Sequence, residues 1–140
     1  MTIKQLSIFI ENKSGKLQQV LGILRDNGIS IVVSTLSDTL DFGIYRVICS
    51  DTDKAFKVLR ERGINATISN VHAIRLADNK VGAAADVITL LTDAGVGIKY
   101  LYSFLMEGKG VLIFRTDDIE NANSAIMLNK LDFLSEADFK

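Results

Sequence analysis

The chain contains no proline, so every reversal must be made by Gly, Asn, Asp or Ser. A single cysteine, Cys49, excludes an internal disulfide and makes the cytoplasm the default compartment. The single histidine, His72, has no Cys, Asp or Glu at ligand spacing, which points to a packed or surface role and away from metal. The net charge of −1 argues against a nucleic-acid or anionic membrane surface, whose contacts need clustered Lys and Arg, so neither partner is expected. No apolar run reaches the length of a membrane span, and Lys4 and Gln5 break the opening apolar residues where a secretory signal would continue them. What remains is 140 residues of ordinary globular composition, 48% hydrophobic and 24% charged. That is enough for a real core in one domain or two small ones.

The chain repeats itself. Glu11-Asn12-Lys13-Ser14-Gly15 returns as Asp78-Asn79-Lys80-Val81-Gly82, with 67 residues between the two glycines. The same spacing of 67 separates Gly28 from Gly95 and Gly43 from Gly110. Shared glycines in one register mean that the same backbone turns recur at the same places, as in a duplicated unit. The expected organisation is residues 1–69 followed by residues 70–140.

Each half reads as alternating strands and helices. In the first, Leu6, Ile8 and Ile10 alternate at strand period. Leu17, Val20, Leu21 and Leu24 form one helical stripe over 16–27, in which Ser14 offers a cap and Asn27-Gly28 a stop. The β-branched run 29–36 predicts a central strand, 42–50 another, 51–62 a helix with acids first and bases last, and 64–69 a closing strand. In the second half the strand 71–76 and turn 78–82 precede a helix over 83–94, where Ala84, Val87, Ile88 and Leu91 stand at the positions of Leu17, Val20, Leu21 and Leu24. Strands over 96–104 and 111–115, a helix over 117–130 and a short strand over 131–134 complete it. Tyr100, Tyr102 and Phe104 share one strand face. The fold class is therefore α+β: two ferredoxin-like β-α-β-β-α-β units, each an antiparallel sheet with its helices on one face.

These residues resemble the ACT domain family. The likeness rests on Glu11-Asn12-Lys13-Ser14-Gly15-Lys16-Leu17 followed by Asn27-Gly28-Ile29-Ser30-Ile31, and on Asp78-Asn79-Lys80-Val81-Gly82 followed by Ala94-Gly95-Val96-Gly97-Ile98. Ser14 and Val81 stand where the family commonly has proline, and Ser30 and Gly97 where it often has asparagine. The resemblance implies a tandem ACT protein that binds a free amino acid between paired units and regulates amino-acid metabolism. It also implies a homodimer and a metabolic enzyme as partner, with no catalysis and no cofactor. The ligand contacts it implies in the first copy are Asn12, Lys13, Ser14, Gly15, Lys16 and Leu17, with Ser30 and Ile31 on the strand. In the second copy they are Asn79, Lys80, Val81, Gly82, Ala83 and Ala84, with Gly97 and Ile98.

The residues themselves support such a mouth. Amides at 15–17 and 82–84 open a helix, where a carboxylate is favoured. Gly15 and Gly82 permit close approach, Lys13 and Lys80 add positive charge, and Asn12 and Asn79 donate and accept. Asp38 or Asp41 is a candidate partner for an ammonium. The alternative is a structural or assembly module with a degenerate site, which the missing proline and asparagine residues favour. Catalysis would need a nucleophile and base pair; no Cys-His or Ser-His arrangement is present, and Cys49 reads as core. RNA binding would need a basic aromatic sheet face, which is also missing. Asp51, Asp117 and Asp118 read as helix N-terminal charges.

Overall fold

The computed structural model describes residues 1–11, 13–38, 41–77 and 80–139. The chain divides into two compact units: Lys4–Ser69 together with Phe139, and Asn70–Asp138 together with Met1–Ile3. Among the described residues no helix is long and apolar enough to cross a membrane.

The N-terminal unit runs β1 (Ile3–Glu11), α1 (Lys16–Asp26), β2 (Ile31–Asp38), β3 (Phe42–Cys49), α2 (Thr52–Glu61) and the start of β4 (Ala66–Arg75). Its strand order is β2-β3-β1-β4, with β1 and β2 both antiparallel to β3. Alternation along β1 sends Leu6, Ile8 and Ile10 to the helix side, where they form a core with Val20 and Leu24 of α1 and Ala55 and Leu59 of α2. Cys49 lies in that core. The run 29–36, expected at the centre of the sheet, instead forms an edge strand. Ile31, Val32 and Leu36 of β2 are 38%, 40% and 52% exposed. β-Branched density reports strand propensity, not position in the sheet. Ile29 is held back by the helix stop, its N–H bonded to the Leu24 carbonyl.

The C-terminal unit continues β4 and adds α3 (Ala83–Asp93), β5 (Tyr100–Met106), β6 (Lys109–Arg115), α4 (Ile119–Leu128) and a 3-10 turn, Glu136–Phe139. The order is β4-β6-β5. Ile74, Val87, Leu91, Leu112, Phe114 and Ile126 make its core. Tyr100, Tyr102 and Phe104 share a half-buried face of β5, as their alternation predicts. Three expected boundaries move. The strands over 64–69 and 71–76 are one strand, β4. β5 starts at Tyr100, because the Val96 N–H closes the α3 stop on Leu91 and Lys99 leads in through Arg115. The closing strand over 131–134 shrinks to one bridge, Ile74 to Phe133, flanked by bonds from Arg75 to Asp132 and from Leu134 to Ala73.

The register of 67 reaches further than the three glycine pairs. Asp51 and Asp118 are also 67 apart. Each caps the second helix of its unit by accepting from the N–H three residues on, Lys54 and Asn121 respectively. The tripled hydrogen-bond pattern of the α1 stop recurs at α3.

Candidate functional site

Both helix mouths are built the same way. Gly15 (φ 86°) and Gly82 (φ 82°) are the N-caps of α1 and α3, in left-handed conformation and without a side-chain cap. Ser14 therefore does not cap α1. It stands one residue outside the helix, and its counterpart Val81 is fully exposed. A Cβ placed on Gly15 or Gly82 meets nothing within 4 Å, so the glycine is required by backbone angle and not by crowding. Of the amides expected to face a ligand, those of Lys16 and Ala83 already donate to the carbonyls of Lys13 and Lys80. Those of Leu17 and Ala84 have no such partner among the described residues.

In the N-terminal unit the mouth opens on a cleft of 460 Å³. Lys13, Gly15, Leu17 and Gln18 form one side of it, and Leu36, Asp38 and Gly43 the other. A Cβ on Gly43 would lie 3.2 Å from Leu36 Cδ1 and 3.3 Å from the Ser37 carbonyl, a tight approach that asks these neighbours to give by a few tenths of an ångström. Leu17, Leu21 and Leu36 give the cleft an aliphatic wall, and Lys13, Glu11 and Asp38 give it charge of both signs. Lys13 pairs with Glu11 at 3.0 Å, and the hydrogen bond from Lys13 holds the exposed Glu11 carboxyl below its ordinary pKa.

The C-terminal mouth is wider, 850 Å³, and different in chemistry. Lys80, Val81, Gly82, Ala83 and Ala84 line it together with Leu105, Glu107 and Gly110. Leu105, which is 75% exposed, occupies the position of Asp38, and the carboxylate that lines this mouth is instead that of Glu107 on the hairpin turn. Lys80 turns to Asp86 at 2.8 Å, and that hydrogen bond raises its pKa.

The structure thus gathers Lys13, Gly15 and Leu17 in one cleft and Lys80, Val81, Gly82, Ala83 and Ala84 in another. Lys16 faces a different cleft on the opposite flank of α1. Ser30 precedes β2 and Ile31 opens it, at the end of that strand away from Asp38. Ser30, Ile31, Gly97 and Ile98 line neither mouth; Ile98 packs on the core of its unit. Asn12 and Asn79 lie outside the described residues. Leu36, Gly43 and Leu105 were not singled out by sequence as wall residues, although the glycine register pointed to Gly43 and Gly110.

His72 is 1% exposed. Its ring stacks on Phe114 at 5.0 Å and its Nε2 lies 2.8 Å from Asn123 Oδ1, while Nδ1 is buried without a partner among the described residues. Burial lowers its pKa. It belongs to the core of the C-terminal unit, as the lack of ligand neighbours in sequence implies.

Two units of the β-α-β-β-α-β pattern, duplicated in register and each opening on a helix mouth, define a tandem ferredoxin-like protein. The chain belongs to the ACT family: the model of the ACT domain pair matches residues 1–140. An ACT domain pair is a regulatory module. Among solved structures, protein BT0572 from Bacteroides thetaiotaomicron is 36% identical, with a TM-score of 0.92 over 99% of this chain and 96% of that one. The regulatory subunit of aspartate kinase from Thermus thermophilus, ligand free, is 15% identical with a TM-score of 0.63, covering 89% and 91%. That from Thermus flavus is 15% identical with a TM-score of 0.61, covering 89% and 90%. These two share the fold. No curated protein matches the chain.

Proposed function

We propose that the protein is a non-enzymatic sensor of a free amino acid in the cytoplasm, acting as a homodimer and passing the binding signal to an enzyme of amino-acid metabolism. Membership of a regulatory family supports the general role, and the likeness in fold to aspartate kinase regulatory subunits supports an enzyme as the reader. The observation that carries the ligand class is the N-terminal mouth. Within 460 Å³ it offers an open helix end for a carboxylate, Asp38 for an ammonium, and Leu17, Leu21 and Leu36 for an aliphatic body. The C-terminal mouth has Leu105 at the position of Asp38 and carries its carboxylate on Glu107 of the hairpin turn instead.

The test is thermal denaturation in the presence of each of the twenty amino acids. A ligand at 100 times its Kd adds about 2.7 kcal/mol. Asp38→Asn should erase that gain, and Leu105→Ala should leave it intact. Sedimentation at micromolar concentration should give twice the chain mass of 15.4 kDa; a species of single mass throughout contradicts the dimer. A second reading, an assembly module, draws support from the exposed Val81 and Leu105 of the C-terminal mouth. It takes over if no amino acid stabilises the folded protein.

A further inference from the structure

Residues 70–138 are acidic as a whole, with six Lys and Arg against ten Asp and Glu. Their cations are nevertheless gathered in one place. Four of the six, Arg75, Lys80, Lys109 and Lys130, line a cleft of 430 Å³ beside α3. That volume is in the range of small-molecule sites, roughly 300–1,000 Å³. Among the described residues only Asp86 and Asp132 line it with the opposite charge, which leaves two positive charges in excess. Each acid is held by one of the cations. Asp132 accepts from Arg75 Nη1 at 3.2 Å, and Asp86 pairs with Lys80 at 2.8 Å. An Arg and a Lys each have further N–H donors, so these pairs orient the two cations without using them up.

The duplication supplies an internal control. The matching cleft of the N-terminal unit is balanced, Lys16 and Arg62 standing against Glu11 and Asp41. The residues 67 positions before Arg75, Lys109 and Lys130 are Ile8, Phe42 and Gly63. Three of the four cations are therefore peculiar to the second copy, and the fold is made without them in the first. Lys130 is the most telling. It closes the stop of α4 at φ 51°, where Gly63 closes that of α2 at φ 74°. A left-handed conformation costs a residue with Cβ, and glycine avoids that cost. A strain kept in one copy and relieved in the other points to a use for the side chain.

We propose that this cleft binds the phosphate group of a small phosphomonoester whose body is not aromatic. A phosphomonoester carries about −1.5 to −2 charge at pH 7, which matches the excess, whereas a single carboxylate leaves part of it unanswered. Arg75 offers paired donors to the phosphate oxygens, and Lys109 and Lys130 add point charges. Leu76, Leu90 and Leu131 give the body an aliphatic lining. The described lining includes no aromatic ring on which a nucleobase could stack. Lys80 and Lys109 also line the C-terminal mouth, but Arg75, Lys130 and Asp132 do not. The inference rests neither on the N-terminal mouth nor on an amino-acid ligand.

The probe is glycerol monophosphate, followed by isothermal titration calorimetry on the full chain. Saturable binding is expected, unchanged by Arg62→Gln, which removes a cation from the balanced cleft of the other copy. Lys130→Gln, which keeps the backbone strain and removes only the charge, should weaken binding about tenfold, as the loss of one charge-assisted contact implies. Lys130→Arg should retain it. Lys130→Gly should weaken binding to the same degree while raising the urea midpoint, a combination that damage to the fold does not produce. Absence of saturable heat with glycerol monophosphate at millimolar concentration overturns the proposal. So does binding that both Lys130→Gln and Lys130→Gly leave unchanged. Succinate binding as tightly would show a site for charge alone, and adenosine monophosphate binding more tightly would show a nucleotide site; either result also overturns it.

Discussion

At the scale of single residues, the duplication turns each position into a comparison. Gly63 follows α2 at φ 74°, and 67 residues later Lys130 follows α4 at φ 51°. Both close the same stop. Gly63 N–H donates to Arg60 at 3.0 Å and Lys130 N–H to Met127 at 3.2 Å, and the next residues, Ile64 and Leu131, donate to Leu59 and Ile126. A left-handed conformation costs a residue with Cβ about 1–2 kcal/mol, and glycine's greater freedom in the unfolded chain returns part of that. Lys130→Gly should therefore stabilise the protein by about 0.5–1 kcal/mol in urea unfolding. An unchanged or lower midpoint would show that the Lys130 side chain offsets its strain. The converse holds at the mouth. Gly15→Ala meets no atom within 4 Å, so its cost is conformational, about 1 kcal/mol, and a folded variant is expected by circular dichroism.

At the scale of elements, the helices were legible because each shows its core through a stripe. Val20 and Leu24 of α1 are buried, and so are their counterparts Val87 and Leu91 of α3. Acidic residues at the start of α2 and α4 marked real caps, and Asp51 and Asp118 now stand as equivalents. Asp51→Ala and Asp118→Ala should each cost about 1 kcal/mol, and urea midpoints should fall by similar amounts for the two. A cost for only one would mean that the caps, though alike in geometry, differ in what replaces them. Other features were hidden from sequence for physical reasons. The place of β2 at the edge depends on which strands pair, and Ile31, Val32 and Val33 read the same at an edge as at a centre. The glycine turns located both helix mouths, since only backbone angle was needed for that. They did not locate the wall residues, because Asp38 reaches the mouth through the β2–β3 pairing, Asp38 standing opposite Gly43. Nor did any local pattern join Arg62 to Lys16, two residues brought to one cleft by separate helices.

At the scale of the whole molecule, the two units share a plan but should differ in their response to acid. Gln5 and His72 occupy equivalent positions, 67 apart, and both are buried, at 0% and 1% exposure. Gln5 donates to Ser7 Oγ at 3.2 Å and has no charge to gain. His72 is packed between Phe114 and Asn123, and burial first of all, with the positive N-terminus adding to it, holds its pKa below the ordinary 6.5. The Asn123 contact opposes that shift without cancelling it. A base whose folded pKa is depressed binds its proton more readily when unfolded, so its contribution to stability is complete above pH 6.5 and is lost as pH falls below it towards the folded value. The loss falls on the unit that contains His72. Hydrogen exchange followed by mass spectrometry between pH 7 and pH 5, corrected for intrinsic rates, should show protection falling first in peptides from residues 70–138 and later in residues 4–69. His72→Gln, which places in the second copy the residue the first already uses, should bring the two profiles together and flatten the fall in melting temperature over that range. If the acid response persists in that variant, or starts in residues 4–69, then the buried imidazole is not its origin and carboxylates common to both copies are.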